Sequence, residues 1–118
     1  MPKRRVTPEP NIRLQIAHGV AIGPGKADLL EQIAELGSIS QAGKTMGMSY
    51  RTAWALVGSM NEDFLEPLVT VTRGGARGGG ASLTPAGKDV LACYRKMERL
   101  ALKAITKEVV HLQALIRA

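Results

Sequence analysis

The apolar positions of the chain change period several times, and each change marks an element. Ile12, Leu14 and Ile16 alternate with Arg13, Gln15 and Ala17, the period of a half-buried strand, and Val20 and Ile22 continue it after Gly19. Gly23-Pro24-Gly25 breaks that strand, and a helical period takes over in which Leu29, Leu30, Ile33 and Leu36 share one face and Gly37 is the stop. Ser38 is the cap of a short second helix that carries Ile39, Ala42 and Met46 and ends at Gly47. Ser49 caps a third, whose Ala53, Leu56, Val57, Met60 and Phe64 form a buried stripe, and Pro67 follows its end. "LVTVT" (68–72) and "ASL" (81–83) read as two strands of a hairpin around the glycine-rich run "RGGARGGGASLT".

Thr84 and Pro85 then supply an N-cap and first helical residue, and no Gly or Pro after Gly87 interrupts the pattern up to Ile116. A helix of that span is roughly 50 Å long at about 1.5 Å per residue, more than a small domain covers. Its apolar positions form two sets. Val90, Tyr94, Met97 and Ala101 suit the globular core, whereas Leu102, Ile105, Val109, Leu112 and Ile116 have heptad spacing and suit another copy of the chain. The expected fold class is therefore mainly α with a small β wing: a winged helix-turn-helix over residues 12–83, preceded by a flexible basic arm (1–11) and followed by a long dimerisation helix (84–118).

The central pair of short helices carries the functional expectation. To enter a major groove about 12 Å wide, the third helix must stand proud of the second, so their crossing is tight and needs small residues, which Ala42, Gly43 and Ala53 supply. Gly47 gives the turn a permissive backbone. From Lys44 to Met60 there is no acidic residue, while Glu62, Asp63 and Glu66 gather at the far end of the third helix. A helix with a basic, polar head and an acidic tail approaches phosphates head first. Tyr50, Arg51, Thr52 and Ala55 are the expected contacts at or near base edges, with Ser49 and Lys44 on backbone phosphate; the fork of Arg51 suits guanine. For Trp54, one step from the buried stripe, packing between helix and strand outweighs a DNA-facing role.

Composition supports this partner. The 118 residues suit one domain, and aromatics at 3% against 45% apolar residues mean a core of Leu, Ile, Val, Met and Ala. A formal charge of +6 favours an anionic polymer over an acidic protein. Lys3, Arg4 and Arg5 are either a solubilising tail or an arm following the minor groove, and Arg95, Lys96, Arg99, Lys103 and Lys107 read as the solvated outer face of the last helix. The single Cys93 forms no internal disulfide and suits a packing role in a reducing compartment. With neither a secretory signal nor an apolar run long enough to span a membrane, the expected location is cytoplasmic and no membrane partner is expected. His18 and His111 lack ligand-spaced partners, so no metal site is expected, and no catalytic triad is evident.

The glycine run also resembles a phosphate-binding loop, which would make the chain a nucleotide hydrolase. "GARGGGAS" (75–82) fits G-x-x-x-x-G-K-[ST] except that Ala81 stands where the phosphate-neutralising Lys is required. The better reading is a hairpin tip whose glycines let the backbone lie close to a phosphate chain, with Arg73 and Arg77 as its charged contacts, mobile without DNA and ordered with it.

"GSISQAGKTMGMSYRTAWALVGSMN" (37–61) followed by "RGGARGGGASLTPAGKDVL" (73–91) resembles the N-terminal DNA-binding domain of the ModE-type molybdate-responsive transcriptional regulators, themselves related to the LysR-type winged helix. The resemblance runs from about Ile12 into the last helix. It implies that Ser49 to Trp54 open the recognition helix, that Arg73 to Gly80 form the wing and that the helix from Thr84 joins two copies. It further implies a sequence-specific regulator of double-stranded DNA. Longer members continue into molybdate-binding domains and this chain stops at Ala118, so the expectation is a single-domain form with no cofactor and without direct molybdate binding. The alternative is a dimeric protein-interaction module working with a separate sensor protein supplied in trans.

Overall fold

A computed structural model describes residues 10–72 and 80–117. Nine elements follow in order: β1 (Leu14–Ala17), β2 (Val20–Ile22), α1 (Pro24–Leu36), α2 (Ile39–Thr45), α3 (Tyr50–Asp63), β3 (Val69–Thr72), β4 (Gly80–Leu83), α4 (Pro85–Ala104) and α5 (Thr106–Leu115). The expected class holds: three helices, a two-stranded antiparallel wing and a long C-terminal helical segment make a winged helix-turn-helix.

The helix starts follow from local chemistry. The Ser38, Ser49 and Thr84 hydroxyls accept hydrogen bonds from the backbone N–H groups of Gln41, Thr52 and Gly87 at 3.1, 3.0 and 3.0 Å, satisfying donors that the first turn leaves free. Gly37 closes α1 with φ 69°, a left-handed conformation that suits glycine, and its N–H returns to the Ile33 carbonyl.

One core joins Leu29, Leu30 and Ile33 of α1 to Ile39 and Ala42 of α2, Ala53, Val57 and Met60 of α3, and Leu68, Val69, Ala81 and Leu83 of the wing. A smaller cluster of Ile22, Ala27 and Tyr94 lies under α4. There the Tyr94 hydroxyl donates to the Ile12 carbonyl at 2.6 Å, tying α4 to the segment that leads into β1. Burial raises the Tyr94 pKa, because a phenolate there would lose its water, and Glu98 adds to the effect.

Five expectations are corrected. Val20 and Ile22 do not extend the first strand; β2 folds back on β1 as an antiparallel hairpin whose register shifts between Gln15 and Ala17. That irregularity interrupts the alternation, and Ile16 is left exposed. Leu36 is also exposed, since the apolar stripe of α1 meets its neighbours only as far as Ile33. The last helix is broken at Ile105 without Gly or Pro: the Thr106 hydroxyl donates to the Leu102 and Lys103 carbonyls at 2.9 and 3.1 Å, competing with the backbone for them. Cys93 is exposed on α4 rather than packed, its neighbour Tyr94 taking the inward position.

Arg95, finally, does not belong to a solvated outer face. Its guanidinium reaches Asp28 at 2.7 Å and Glu31 at 2.8 Å on α1, and Glu98 at 3.4 Å on its own helix. Burial opposes the charge, but the hydrogen bonds to Asp28 and Glu31 outweigh it, and the Arg95 pKa is raised.

Candidate nucleic-acid interface

The helix-turn-helix is held by one close approach and one turn. A Cβ on Gly43 would lie 2.6 Å from the Cβ of Ala53, so α2 and α3 touch where only glycine fits on the α2 side. Between the helices Gly47 adopts φ 74°, and the Met48 N–H returns to the Gly43 carbonyl at 2.8 Å. The chain therefore leaves α2 and re-enters α3 within a few residues, and the inner face of α3, at Ala53, Val57 and Met60, is sealed against the core.

Its outer face carries the expected residues. Ser49, Tyr50, Arg51, Thr52 and Ala55 are all exposed on the cap and first turns of α3, and Lys44 is exposed in the last turn of α2 across the Gly47 turn. Ser49 has a more specific place than a free phosphate contact. Its oxygen accepts from the Thr52 N–H at 3.0 Å and its hydroxyl donates to Thr52 Oγ1 at 2.9 Å, so it is tied into the helix start. Trp54 is not packed between helix and strand; it stands exposed beside Tyr50 on the outside of α3. Glu62, Asp63 and Glu66 are exposed at the far end, away from the cationic head.

Two latches fix the wing against the helical body, one to α3 and one to the α1–α2 junction, and neither is legible in the sequence. The Asn61 side chain accepts from the Leu68 and Val69 N–H groups at 2.8 and 3.1 Å and donates to the Val69 carbonyl at 3.1 Å, joining the end of α3 to the start of β3. The Ala81 N–H donates to the Gly37 carbonyl at 2.9 Å, docking β4 on the α1–α2 junction. Gly87 completes the seating of α4, for a Cβ there would run into the Leu68 carbonyl. The glycine in "TPAG" was the one sequence signal for that approach; Asn61 carried none. β3 and β4 pair as expected, from Val69 with Leu83 to Thr72 with Gly80. The tip residues Arg73 and Arg77, and the arm residues Lys3, Arg4 and Arg5, lie outside the described residues.

The apolar set of the C-terminal segment is only partly covered. Leu102 and Val109 are half-buried, while Ile105, Leu112 and Ile116 are exposed, together with Val110 and Leu115. Among the described residues, no group of three or more His, Cys, Asp or Glu could hold a metal ion, and no helix is long and apolar enough to cross a membrane.

A tight helix-turn-helix whose outward helix begins with a cationic, polar head, with a hairpin beside it, defines a winged helix-turn-helix module. Residues 26–88 match the family described as bacterial regulatory helix-turn-helix protein, lysR family, and the chain belongs to that family, with a winged helix of the ModE type. It is 39% identical over 94 residues to the molybdenum-pterin-binding protein MopA of Rhodobacter capsulatus, covering 80% of this chain and 36% of that protein. It is 33% identical over 110 residues to the transcriptional regulator ModE of Haemophilus influenzae, covering 91% of this chain and 43% of that protein. The chain thus spans about a third of the length of several curated relatives. Among solved structures, the DNA-binding domain of CbnR in complex with DNA superposes with a TM-score of 0.55 at 21% identity, over 76% of this chain and 95% of that one, a likeness of fold.

Proposed function

We propose that the chain is the DNA-binding part of a transcriptional regulator that works as a homodimer. The observation that carries this reading is the outward face of α3: Arg51, Thr52 and Ala55 are exposed together, and no carboxylate occurs in sequence from Leu36 to Asn61. In a major groove, Arg51 pairs with guanine, and Tyr50, Thr52 and Ala55 meet base edges or their surroundings. Lys44 neutralises a phosphate, and Ser49 acts mainly by fixing the helix start. Arg73 and Arg77 at the wing tip add phosphate contacts.

Residues 84–118 join two copies through Leu102, Ile105, Val109, Leu112 and Ile116, spacing the two α3 helices about 34 Å apart, one turn of DNA, or a multiple of it. Molybdenum, which the relatives' names carry, is not needed for any of these contacts. Fluorescence anisotropy against genomic fragments tests the reading. Sequence-selective binding that weakens steeply with salt and collapses in Arg51→Ala is the expected result. Equal binding to all sequences, or indifference to Arg51→Ala, overturns it.

A further inference from the structure

Tyr50 and Trp54 stand one helical turn apart on the outside of α3, ring centroids 6.0 Å apart and planes tilted by 53°. Tyr50 is 65% exposed and Trp54 39%, and neither belongs to the two core clusters. In a chain with a single Trp and one Phe, leaving the indole and a neighbouring phenol in water forgoes much of what aromatic burial contributes. The core therefore does not account for the exposed faces of this pair.

We propose that the pair reads thymine: the exposed faces of Tyr50 and Trp54 pack against thymine C5-methyl groups in the major groove. This rests on the DNA-binding reading above and adds to it a base preference. The surroundings select the occupant. Exposed Arg51 and the polar Ser49, Thr52 and Ser59 lie on the same helix start and outer surface, with Lys44 just before it and no acidic residue between Leu36 and Asn61. A cationic, hydroxyl-rich surround suits a polyanion rather than an apolar protein partner. Within the major groove, the one apolar group that a base-pair edge offers is the thymine methyl. The phenol hydroxyl and indole N–H remain free to meet polar atoms beside it. Recognition is thereby divided along one helix, Arg51 facing guanine and the aromatic pair facing thymine.

The test uses the full chain and the duplexes it enriches from a random library, resynthesised with deoxyuridine in place of one thymine at a time, which removes only the methyl. At least one thymine per half-site is expected to cost the wild type about fourfold in affinity when its methyl is lost, the worth of one buried methyl group. Trp54→Ala is expected to bind the parent duplex more weakly and to be indifferent to that replacement. Tyr50→Ala, at the more exposed position, gives the same readout should Trp54→Ala fold poorly. If the methyl is worth as much to both variants as to the wild type, or if no thymine responds, the inference is overturned while an enriched sequence leaves the DNA-binding reading standing. Uniform weakening on every duplex also overturns it, because that marks a sugar or phosphate contact. If no sequence is enriched at all, both fall together.

Discussion

Gly43 of α2 and Ala53 of α3 face each other so closely that a Cβ on the glycine would sit 2.6 Å from the alanine Cβ. That contact sets how far α3 stands out from the body of the domain. Gly43→Ala is expected to lower unfolding free energy by about 2 kcal/mol, because the methyl can be accommodated only by moving one helix off the other. Ala53→Gly removes the opposing methyl, so in a double-mutant cycle it should cost less beside Gly43→Ala than alone, despite glycine's cost of about 1 kcal/mol within a helix. Urea denaturation of the four proteins decides the matter: strictly additive effects would mean that the two residues are not in contact.

Asn61 substitutes for a strand partner, accepting from the Leu68 and Val69 N–H groups and donating to the Val69 carbonyl. Asn61→Ala strips those part-buried backbone groups of this partner and should cost about 2 kcal/mol. Asn61→Asp keeps the acceptor but replaces the amide donor facing the Val69 carbonyl, so its cost should also be measurable. Chemical denaturation reads both. A loss below about 0.5 kcal/mol for Asn61→Ala, the range of an ordinary surface substitution, would contradict the latch.

The features legible in the sequence are those set within a few residues. Ser38, Ser49 and Thr84 cap because their hydroxyls meet donors three residues on, and the apolar stripe of α3 reflects the helical period alone. Long-range choices were not legible. Nothing near Asn61 announces a bond to Leu68, and Arg95 looks like any surface cation until α1 brings Asp28 and Glu31 beside it. The break at Ile105 depends on which way one threonine hydroxyl turns, and the hairpin at Gly19 on a strand register that periodicity continues through. In the site, the helical period along α3 separates its inward and outward faces, but Trp54, one step from the buried stripe, reads as packed and is exposed.

Arg95 links α4 to α1 through Asp28 and Glu31, with Glu98 beside it. Arg95→Met keeps much of the stem but removes the guanidinium that Asp28, Glu31 and Glu98 share. Because these groups are partly exposed, water and salt screen them, and a loss of about 1 kcal/mol is expected. The difference from wild type should shrink in about 1 M salt, where the screening length falls to roughly 3 Å. With the guanidinium pKa raised above its ordinary, already strongly alkaline value, the Arg95 contribution is complete at every lower pH, so its own titration adds no pH dependence near neutrality. Thermal melts at low and high salt check this; a salt-independent difference would assign the effect to packing.

Leu112 on α5 and Ile116 just past its end are 60% and 69% exposed, and charging them should leave the domain folded. If they face a second copy, Leu112→Glu combined with Ile116→Glu removes two apolar side chains from each half of the interface, each worth roughly 1.5–3 kcal/mol when fully buried. The dimer dissociation constant should rise by at least about a hundredfold, with circular dichroism unchanged. Sedimentation velocity across a concentration series reads the result, and a variant as dimeric as the wild type would move the interface elsewhere.

Tyr94 gives the chain an alkaline weakness of predictable sign. Its hydroxyl donates to the Ile12 carbonyl, and burial raises its pKa, with Glu98 reinforcing the shift. The protonated phenol is therefore favoured by folding: its contribution is complete below the unfolded value of about 10 and is lost as pH rises through the folded value. Tyr94→Phe keeps the ring and removes the proton, so at pH 7 to 9 it should be less stable than wild type by about 1 kcal/mol, the worth of one hydrogen bond. Above pH 10 the unfolded wild type gains by releasing the phenol proton that the folded chain still holds, which lowers its stability, and the variant has no such proton to lose. The gap should close, and denaturation at pH 7, 9 and 11 measures it; a gap constant across that range would show that Tyr94 ionises no differently in the folded and unfolded chain.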